Sequence, residues 1–148
     1  MPTVLPARSK TLAAWLAVAL GWLGVHRFYL RGPGDRLGWL FPLPSLLGLW
    51  GLWRVRELGQ DDRLAWLLVP MLGLAVTVAM LSAIVYALTP DERWDERWRA
   101  GAAQPTRTGW GAVGAAVVAL LLGGGVLMAT LAYGGTRLFE WQTNASAD

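Results

Sequence analysis

The chain contains no cysteine, one histidine and one lysine, and only 16% of its 148 residues are charged. Without cysteine there is no disulfide, thiolate metal site or cysteine nucleophile. One histidine also leaves a structural zinc site without ligands, so we expect no metal and no cofactor. Soluble domains carry about 25% charged residues. The shortage of charge, with 55% hydrophobic residues, therefore indicates a membrane protein.

The basic residues, nearly all arginine, are spread over every loop and give a formal net charge of +3. No dense Lys/Arg block of the nucleic-acid-binding type is present, and scattered arginines are typical of contact with lipid headgroups. We therefore expect the lipid bilayer as a partner, and no nucleic acid. Richness in arginine, alanine and glycine indicates a G+C-rich genome, and with it a bacterial inner (plasma) membrane.

Four apolar segments are long enough, or nearly so, to cross about 30 Å of hydrocarbon, which takes about 20 helical residues. They predict an all-α integral membrane helical bundle of about four transmembrane helices. The second is expected to be broken by the prolines of FPLPS, with a short piece at 37–41 and a helix from about Ser45 to Trp53. Four crossings place both termini on one side, which we expect to be the inside. The segments are Thr11–Leu30, Leu37–Trp53, Leu64–Leu88 and Trp110–Tyr133.

The loop after the third segment contains DERW twice in succession. Thr89 as N-cap, Pro90 at the first position and Glu92 as a capping box predict a helix start. The repeat puts Trp94 and Trp98 on one face of that helix. We expect a short interfacial helix with its tryptophans among the headgroups, a binding motif being the alternative. The tryptophans expected at the membrane interface are Trp50, Trp53, Trp94 and Trp98.

Small residues recur at every fourth position of the first, third and fourth segments, which keeps them on one helix face. Helices in lipid associate through close packing of small residues. We expect these residues to pack inside the bundle, with a surface for self-association as the alternative. They are Ala13, Ala17, Gly111, Ala115, Ala119 and Gly123, and in the third segment Ala75, Ala79, Ala83 and Ala87.

The first segment ends in G-x-x-G-x-H-R-F-Y-L, which places an ionisable pair at the end of an apolar run. Arg27 is expected to extend outward to the headgroups, and the two aromatic residues after it to lie at interfacial depth. The residues of this motif are Gly21, Gly24, His26, Arg27, Phe28 and Tyr29.

Residues 8–58 resemble the TM2 domain family, because the basic entry, apolar helix and G-x-x-G-x-H-R-F-Y-L motif are followed by a glycine-containing turn and a second apolar helix. The resemblance implies a membrane hairpin in a family whose biochemical role is mostly unassigned. The family often has an aspartate where this chain has Arg54. As the acidic partner of His26 and Arg27, Glu57 or Asp61 is then expected instead.

The predicted organisation is a TM2-like transmembrane hairpin at 8–58, two further transmembrane helices joined by an interfacial helix at 59–136, and a polar tail at 137–148. No catalytic triad, metal-ligand spacing or phosphate loop is visible, so we expect no enzyme. The expected function is a non-enzymatic multi-pass membrane protein acting as a scaffold, sensor or partner-binding module. Its partner is expected to be a second copy or another membrane protein. The alternative is a small oligomeric transporter or an ion- or proton-conducting protein.

Overall fold

The computed structural model describes residues 8–146, and every regular element in that range is helical. The predicted all-α class is therefore confirmed. A 3₁₀ turn at Gly21–Leu23 interrupts the first apolar segment. The α-helices are α1 (Lys10–Leu20), α2 (Val25–Arg31), α3 (Arg36–Trp39), α4 (Pro42–Leu58), α5 (Arg63–Leu88), α6 (Asp91–Trp98) and α7 (Trp110–Ala145).

Helices α5 and α7 form the long axis of the bundle, and both are long and apolar enough to cross a membrane. They run antiparallel, since Ala87 packs with Ala112 near one end while Gly73 lies against Thr130 towards the other. The third predicted segment agrees with α5. The fourth continues past Tyr133 as helix to Ala145, so the described part of the predicted polar tail is helical.

Small side chains form the contact between α1, α5 and α7. Ala17, Met80 and Ala119 share one buried cluster, and a Cβ added to Gly123 would lie 2.7 Å from Met80 Cβ. Ala13 and Ala115 are also fully buried. Gly111 is exposed, although its carbonyl accepts a hydrogen bond from Trp15 Nε1 at 3.1 Å. The small residues spaced by four thus lie where the helices approach each other most closely.

The first apolar segment is not the single helix predicted over Thr11–Leu30. Helix α1 ends at Leu20, the 3₁₀ turn follows, and Gly24 has a φ of 75° before α2 begins. That left-handed conformation suits glycine. A Cβ at Gly24 would also overlap the carbonyl oxygen of Gly38. The chain therefore turns here rather than continuing straight.

Helix α2 returns towards the beginning of α1. The backbone N–H of Ser9 donates to Tyr29 Oη at 2.9 Å, and Leu30 packs against Ala13. In a continuous helix residues 9 and 29 would be about 30 Å apart. Residues 10–31 therefore form a helical hairpin, here called the N-terminal hairpin, whose tip is the turn at Gly21–Gly24.

The prolines of the second segment begin a helix instead of breaking one. Pro42 occupies the first turn of α4, where the missing N–H costs no helical hydrogen bond, and the interruption lies before it, between α3 and α4. Ser45 is not the expected N-cap: it is fully buried and donates to the carbonyl of Trp22 at 2.5 Å. Helix α4 also continues past Trp53 to Leu58.

The predicted helix after Thr89 is present as α6, but its contacts differ from the prediction. Pro90 is the N-cap, and the Thr89 hydroxyl donates back to Val85 O at 2.6 Å. Trp94 is only 1% exposed, and its Nε1 donates to Arg8 O at 3.0 Å. Its interfacial placement was therefore wrong, because the indole is buried over the N-terminal hairpin.

The two ends of the described chain lie at opposite ends of α5. Lys10 Nζ donates to Thr89 O at 2.5 Å, at what we call the N-terminal end of the bundle. Arg137 donates to Gln60 Oε1 at 3.1 Å, at what we call the C-terminal end. Over residues 8–146 the two ends therefore lie at opposite ends of the bundle, and not at one end as four crossings would give, because the N-terminal hairpin leaves at the end where it entered.

Candidate functional site

His26 lies inside the bundle and not at its boundary. The side chain is 0% exposed, and its ring lies 5.3 Å from that of Phe41 and 5.8 Å from that of Tyr86, centroid to centroid. Neither ring nitrogen has a hydrogen-bond partner among residues 8–146. A buried imidazole without partners is uncommon in folded proteins, which makes this residue the centre of the candidate site.

The glycines of the motif bring His26 to this position. A Cβ on Gly21 would lie 2.6 Å from Ala79 Cβ and 3.4 Å from His26 Nδ1. Only a glycine therefore lets the hairpin tip pack directly on α5 with the imidazole beside it. Gly24 then reverses the chain so that α2 runs back along α1.

Arg27 is paired within the turn that follows α2. Its Nε donates to Asp35 Oδ2 at 2.7 Å, and Arg31 Nη1 is 4.0 Å from Asp35 Oδ1. The hydrogen bond from Arg27 lowers the pKa of Asp35 below its usual range. Glu57 and Asp61 were the wrong candidates for the acidic partner, since Asp35 is eight residues away and already fixed by the turn.

The two aromatic residues of the motif hold the hairpin in different ways. The Phe28 ring packs on Gly38 and on Trp39, whose ring centroid is 5.1 Å away. Tyr29 accepts the Ser9 hydrogen bond, and the Arg8 guanidinium lies over its ring at 5.5 Å. Both therefore make contacts within the protein.

Lys10 closes the N-terminal end of the bundle. It is 4% exposed, and its Nζ donates to Thr89 O, to Asp91 Oδ1 at 2.9 Å and to Thr108 Oγ1 at 2.6 Å. Hydrogen bonds from Thr108 and Lys10 lower the pKa of Asp91 to about 2. Sequence reasoning missed this cluster, although a lone lysine ahead of an apolar helix was a signal for it.

A second feature that sequence reasoning missed is a repeat with an offset of 27 residues. LGWLGVHRFYLRGPGDRLGWL at 20–40 and LGLWGLWRVRELGQDDRLAWL at 47–67 are identical at ten of 21 positions. The shared residues include both glycines of G-x-x-G and the run D-R-L-x-W-L. Comparing the sequence with itself at this offset would have found the repeat.

The repeated residues make the same contacts in both copies. Arg54 Nε donates to Asp62 Oδ2 at 2.6 Å, as Arg27 does to Asp35. The indole of Trp39 donates to Pro33 O at 3.0 Å, and that of Trp66 to Gln60 O at 2.8 Å. We call residues 27–40 the first corner and residues 54–67 the second corner.

The helix that enters each corner also ends at a glycine of the same geometry. Gly32 and Gly59 have φ values of 83° and 88°, and their N–H groups donate to Phe28 O at 2.8 Å and Val55 O at 3.1 Å. Such a glycine ends a helix without the steric cost that a Cβ would carry. The two corners are therefore one local structure built twice.

The copies differ at the helix that enters each corner. In the first copy the chain is interrupted at Gly21–Gly24, whereas α4 passes through the matching Gly48 and Gly51 as continuous helix. His26 corresponds to Trp53, which is 56% exposed. The residues specific to the first copy are thus those that bury an imidazole and close a hairpin.

The remaining predicted residues lie apart from His26. Trp50 and Trp53 are exposed on α4, with the Arg54 guanidinium 5.4 Å above the Trp50 ring. Trp98 is half-buried, with its ring 6.2 Å from that of Trp94. Among residues 8–146, no group of three or more His, Asp or Glu side chains is placed to hold a metal ion.

An all-helical fold with two helices long and apolar enough to cross a membrane is typical of helical membrane proteins. Residues 6–57 match the family model of the TM2 domain, which agrees with the resemblance seen in the sequence and covers about a third of the chain. No curated protein and no solved structure matches the chain.

Proposed function

We propose that this protein is a non-enzymatic integral membrane module, in a bacterial inner membrane, that acts as a scaffold or sensor for a partner. The main support for this proposal is that the Ser9–Tyr29 hydrogen bond closes the N-terminal hairpin. A segment that returns to the membrane side from which it entered packs against the bundle without crossing the bilayer. It offers no continuous path across the bilayer.

The hairpin geometry supports three crossings with a re-entrant N-terminal segment, in place of four crossings. The crossings would be α3 with α4, then α5, then α7. Helix α4 has 17 residues, or about 25 Å of helix, and α3 adds four helical residues before it. Together they approach the roughly 30 Å of hydrocarbon in a bilayer, so each corner would lie at one membrane face.

The polar groups of the long helices argue against a conducting path. The hydroxyl of Thr77 donates to Gly73 O, that of Ser82 to Val78 O and that of Thr130 to Val126 O, each at 2.7 to 2.8 Å. Their donors are thus used within their own helices. His26 is enclosed by aromatic rings, which supports a packed module over a transporter.

The outer face of α6 is the surface best suited to a partner. With Trp94 buried, Glu92, Arg93, Glu96 and Arg97 are left exposed in alternating charge. Because α6 covers the hairpin, a protein bound there would sense whether the hairpin is closed. The partner chemistry that fits is a polar protein surface with charges of both signs.

Single cysteines test the crossing pattern, since the chain has none of its own. Arg8→Cys, Gly34→Cys and Asp61→Cys are labelled in intact and opened cells with a membrane-impermeant maleimide. We expect residues 8 and 34 to share a side and residue 61 to lie on the other. Labelling of residues 8 and 61 from the same side of the membrane would instead support four crossings.

Flux measurements test the module against the transporter. Proteoliposomes with the wild type and with His26→Ala are compared with empty liposomes for proton and monovalent-cation flux. We expect both proteins to give background flux. Flux above background in the wild type that is lost in His26→Ala would favour the conducting alternative.

A further inference from the structure

We propose that His26 is a proton-binding site, and that binding of a proton there opens the N-terminal hairpin. The inference depends on the contacts within the hairpin and not on the number of crossings. It gives a ligand, the proton, to the sensor role proposed above, and a test of crossing number does not decide it.

The closed hairpin provides His26 with walls but with no hydrogen-bonding partner. Phe41 presents its ring at 87° to the imidazole, Tyr86 lies on another side, and Gly21 approaches Nδ1 from the hairpin tip. A neutral imidazole has one donor and one acceptor, and in this site neither is used. The closed state therefore already carries the cost of an unpaired polar group.

A proton makes that cost larger. The imidazolium has two N–H donors and a full charge, and burying a charge without partners is strongly unfavourable. The ring can keep the proton only if it reaches water or an acceptor. Proton binding and exposure of the ring are thus linked, so acid favours the open hairpin.

The charges around His26 do not supply the missing acceptor. Arg27 and Arg31, on the same helix, are positive and oppose a third positive charge on the imidazole. Asp35, in the first corner, is held by Arg27 through both carboxylate oxygens, at 2.7 and 3.5 Å. Tyr86 is the titratable group on α5 that packs on the ring.

The hairpin has a hinge at its tip and a fastening at its open end. Gly24, at a φ of 75°, permits rotation between α1 and α2. The fastening is the Ser9–Tyr29 hydrogen bond with Leu30 packed against Trp94. In the second copy of the repeat, Trp53 replaces the histidine and the helix is unbroken. The copy of the repeat that has the histidine is therefore also the copy that has the hinge.

The only histidine of the chain makes the test direct. The full chain, labelled with ¹⁵N-histidine in lipid nanodiscs, gives the signals of one imidazole from pH 8 to pH 4.5. In parallel, Leu30→Cys reports opening, because Leu30 is 4% exposed when the hairpin is closed. Its maleimide labelling rate is divided by that of Gly34→Cys, on the exposed first corner, which corrects for thiol ionisation.

We expect the rate ratio to rise at least tenfold as the imidazole becomes protonated, and to stay constant with pH in His26→Phe and in His26→Gln. Three results would overturn the proposal. In the first, the ring becomes protonated while the ratio of labelling rates stays constant. In the second, the ring stays neutral and the ratio stays constant over the whole pH range. In the third, the ratio rises equally in His26→Phe and His26→Gln. Labelling at Arg8→Cys separately tests the crossing pattern, so the two failures are distinguishable.

Discussion

The first and second corners share their key residues but are entered by different helices. In the second, Gly48 and Gly51 let α4 lie directly on α5, where a Cβ on Gly51 would be 2.6 Å from Leu68 Cβ. In the first, Gly21 and Gly24 form a turn. The same G-x-x-G pattern thus gives close helix packing in one setting and a reversal of the chain in the other.

The difference follows from what surrounds each pair of glycines. The N-terminal hairpin has Tyr29 and Leu30 to fasten its returning helix at the N-terminal end of the bundle, and Lys10 fixes the start of α1 there. The second copy has Arg56 and Glu57 at the positions of Tyr29 and Leu30. These charged residues cannot pack in an apolar groove. The corner therefore depends on local sequence, while the hairpin depends on its tertiary partners.

The largest expected effect comes from forcing a side chain into the hairpin tip. Gly24→Ala should destabilise the protein by about 2 to 4 kcal/mol, because it adds a left-handed alanine and an overlap with Gly38 O. Denaturant unfolding followed by tryptophan fluorescence gives the value. Gly34→Ala is the matched control, since nothing lies within 4 Å of its added Cβ. Equal effects would contradict the turn geometry.

Lys10→Met should have the next largest effect, about 2 kcal/mol, since it removes the charge-assisted hydrogen bond to Asp91 and leaves Thr89 O without its donor. The same unfolding assay measures it. The conservative Lys10→Arg should recover only part of the loss, because its planar guanidinium does not fit a site in which three acceptors converge on one ammonium nitrogen. Full stability in Lys10→Met would show that the cluster does not close this end.

Acid should weaken both corners together. The pKa values of Asp35 and Asp62 are both lowered by hydrogen bonds from their arginines. Their stabilisation is therefore complete above the ordinary carboxylate pKa of about 4 and is lost as the pH falls through the lowered folded values. Unfolding midpoints of Asp35→Asn and Asp62→Asn, measured from pH 7 to pH 2, should each show less loss in acid than the wild type. A change in one variant alone would mean that the corners are not equivalent.

The smallest expected effect is the loss of one indole hydrogen bond at a time. Trp39→Phe and Trp66→Phe should each cost about 0.5 to 1.5 kcal/mol, because each removes a single bond to a loop carbonyl. The midpoints of thermal unfolding of the two variants and the wild type, all measured in one detergent, compare these costs. Costs that differ by more than twofold would weaken the claim that the corners are one structure built twice.

The sequence predicted the helical class, the bounds of α5 and the start of α7 well, because long apolar runs and caps are local signals. It failed at the N-terminal hairpin, where Gly24 reverses the chain only in contact with Gly38. It also misplaced Trp94, since an interfacial and a buried indole have the same local pattern. The sequence singled out His26 but placed it at the membrane boundary, because its burial depends on Phe41 and Tyr86, which are distant in sequence.

The central claim, that the first apolar segment turns back, is tested most directly by a distance. Spin labels at Arg8→Cys and Arg31→Cys in nanodiscs, measured by double electron–electron resonance, should lie less than about 20 Å apart. An unbroken helix would place these residues about 35 Å apart. A pair at Leu43→Cys and Glu57→Cys, within continuous α4, calibrates the scale at about 21 Å. A distance near 35 Å for the first pair would contradict the hairpin.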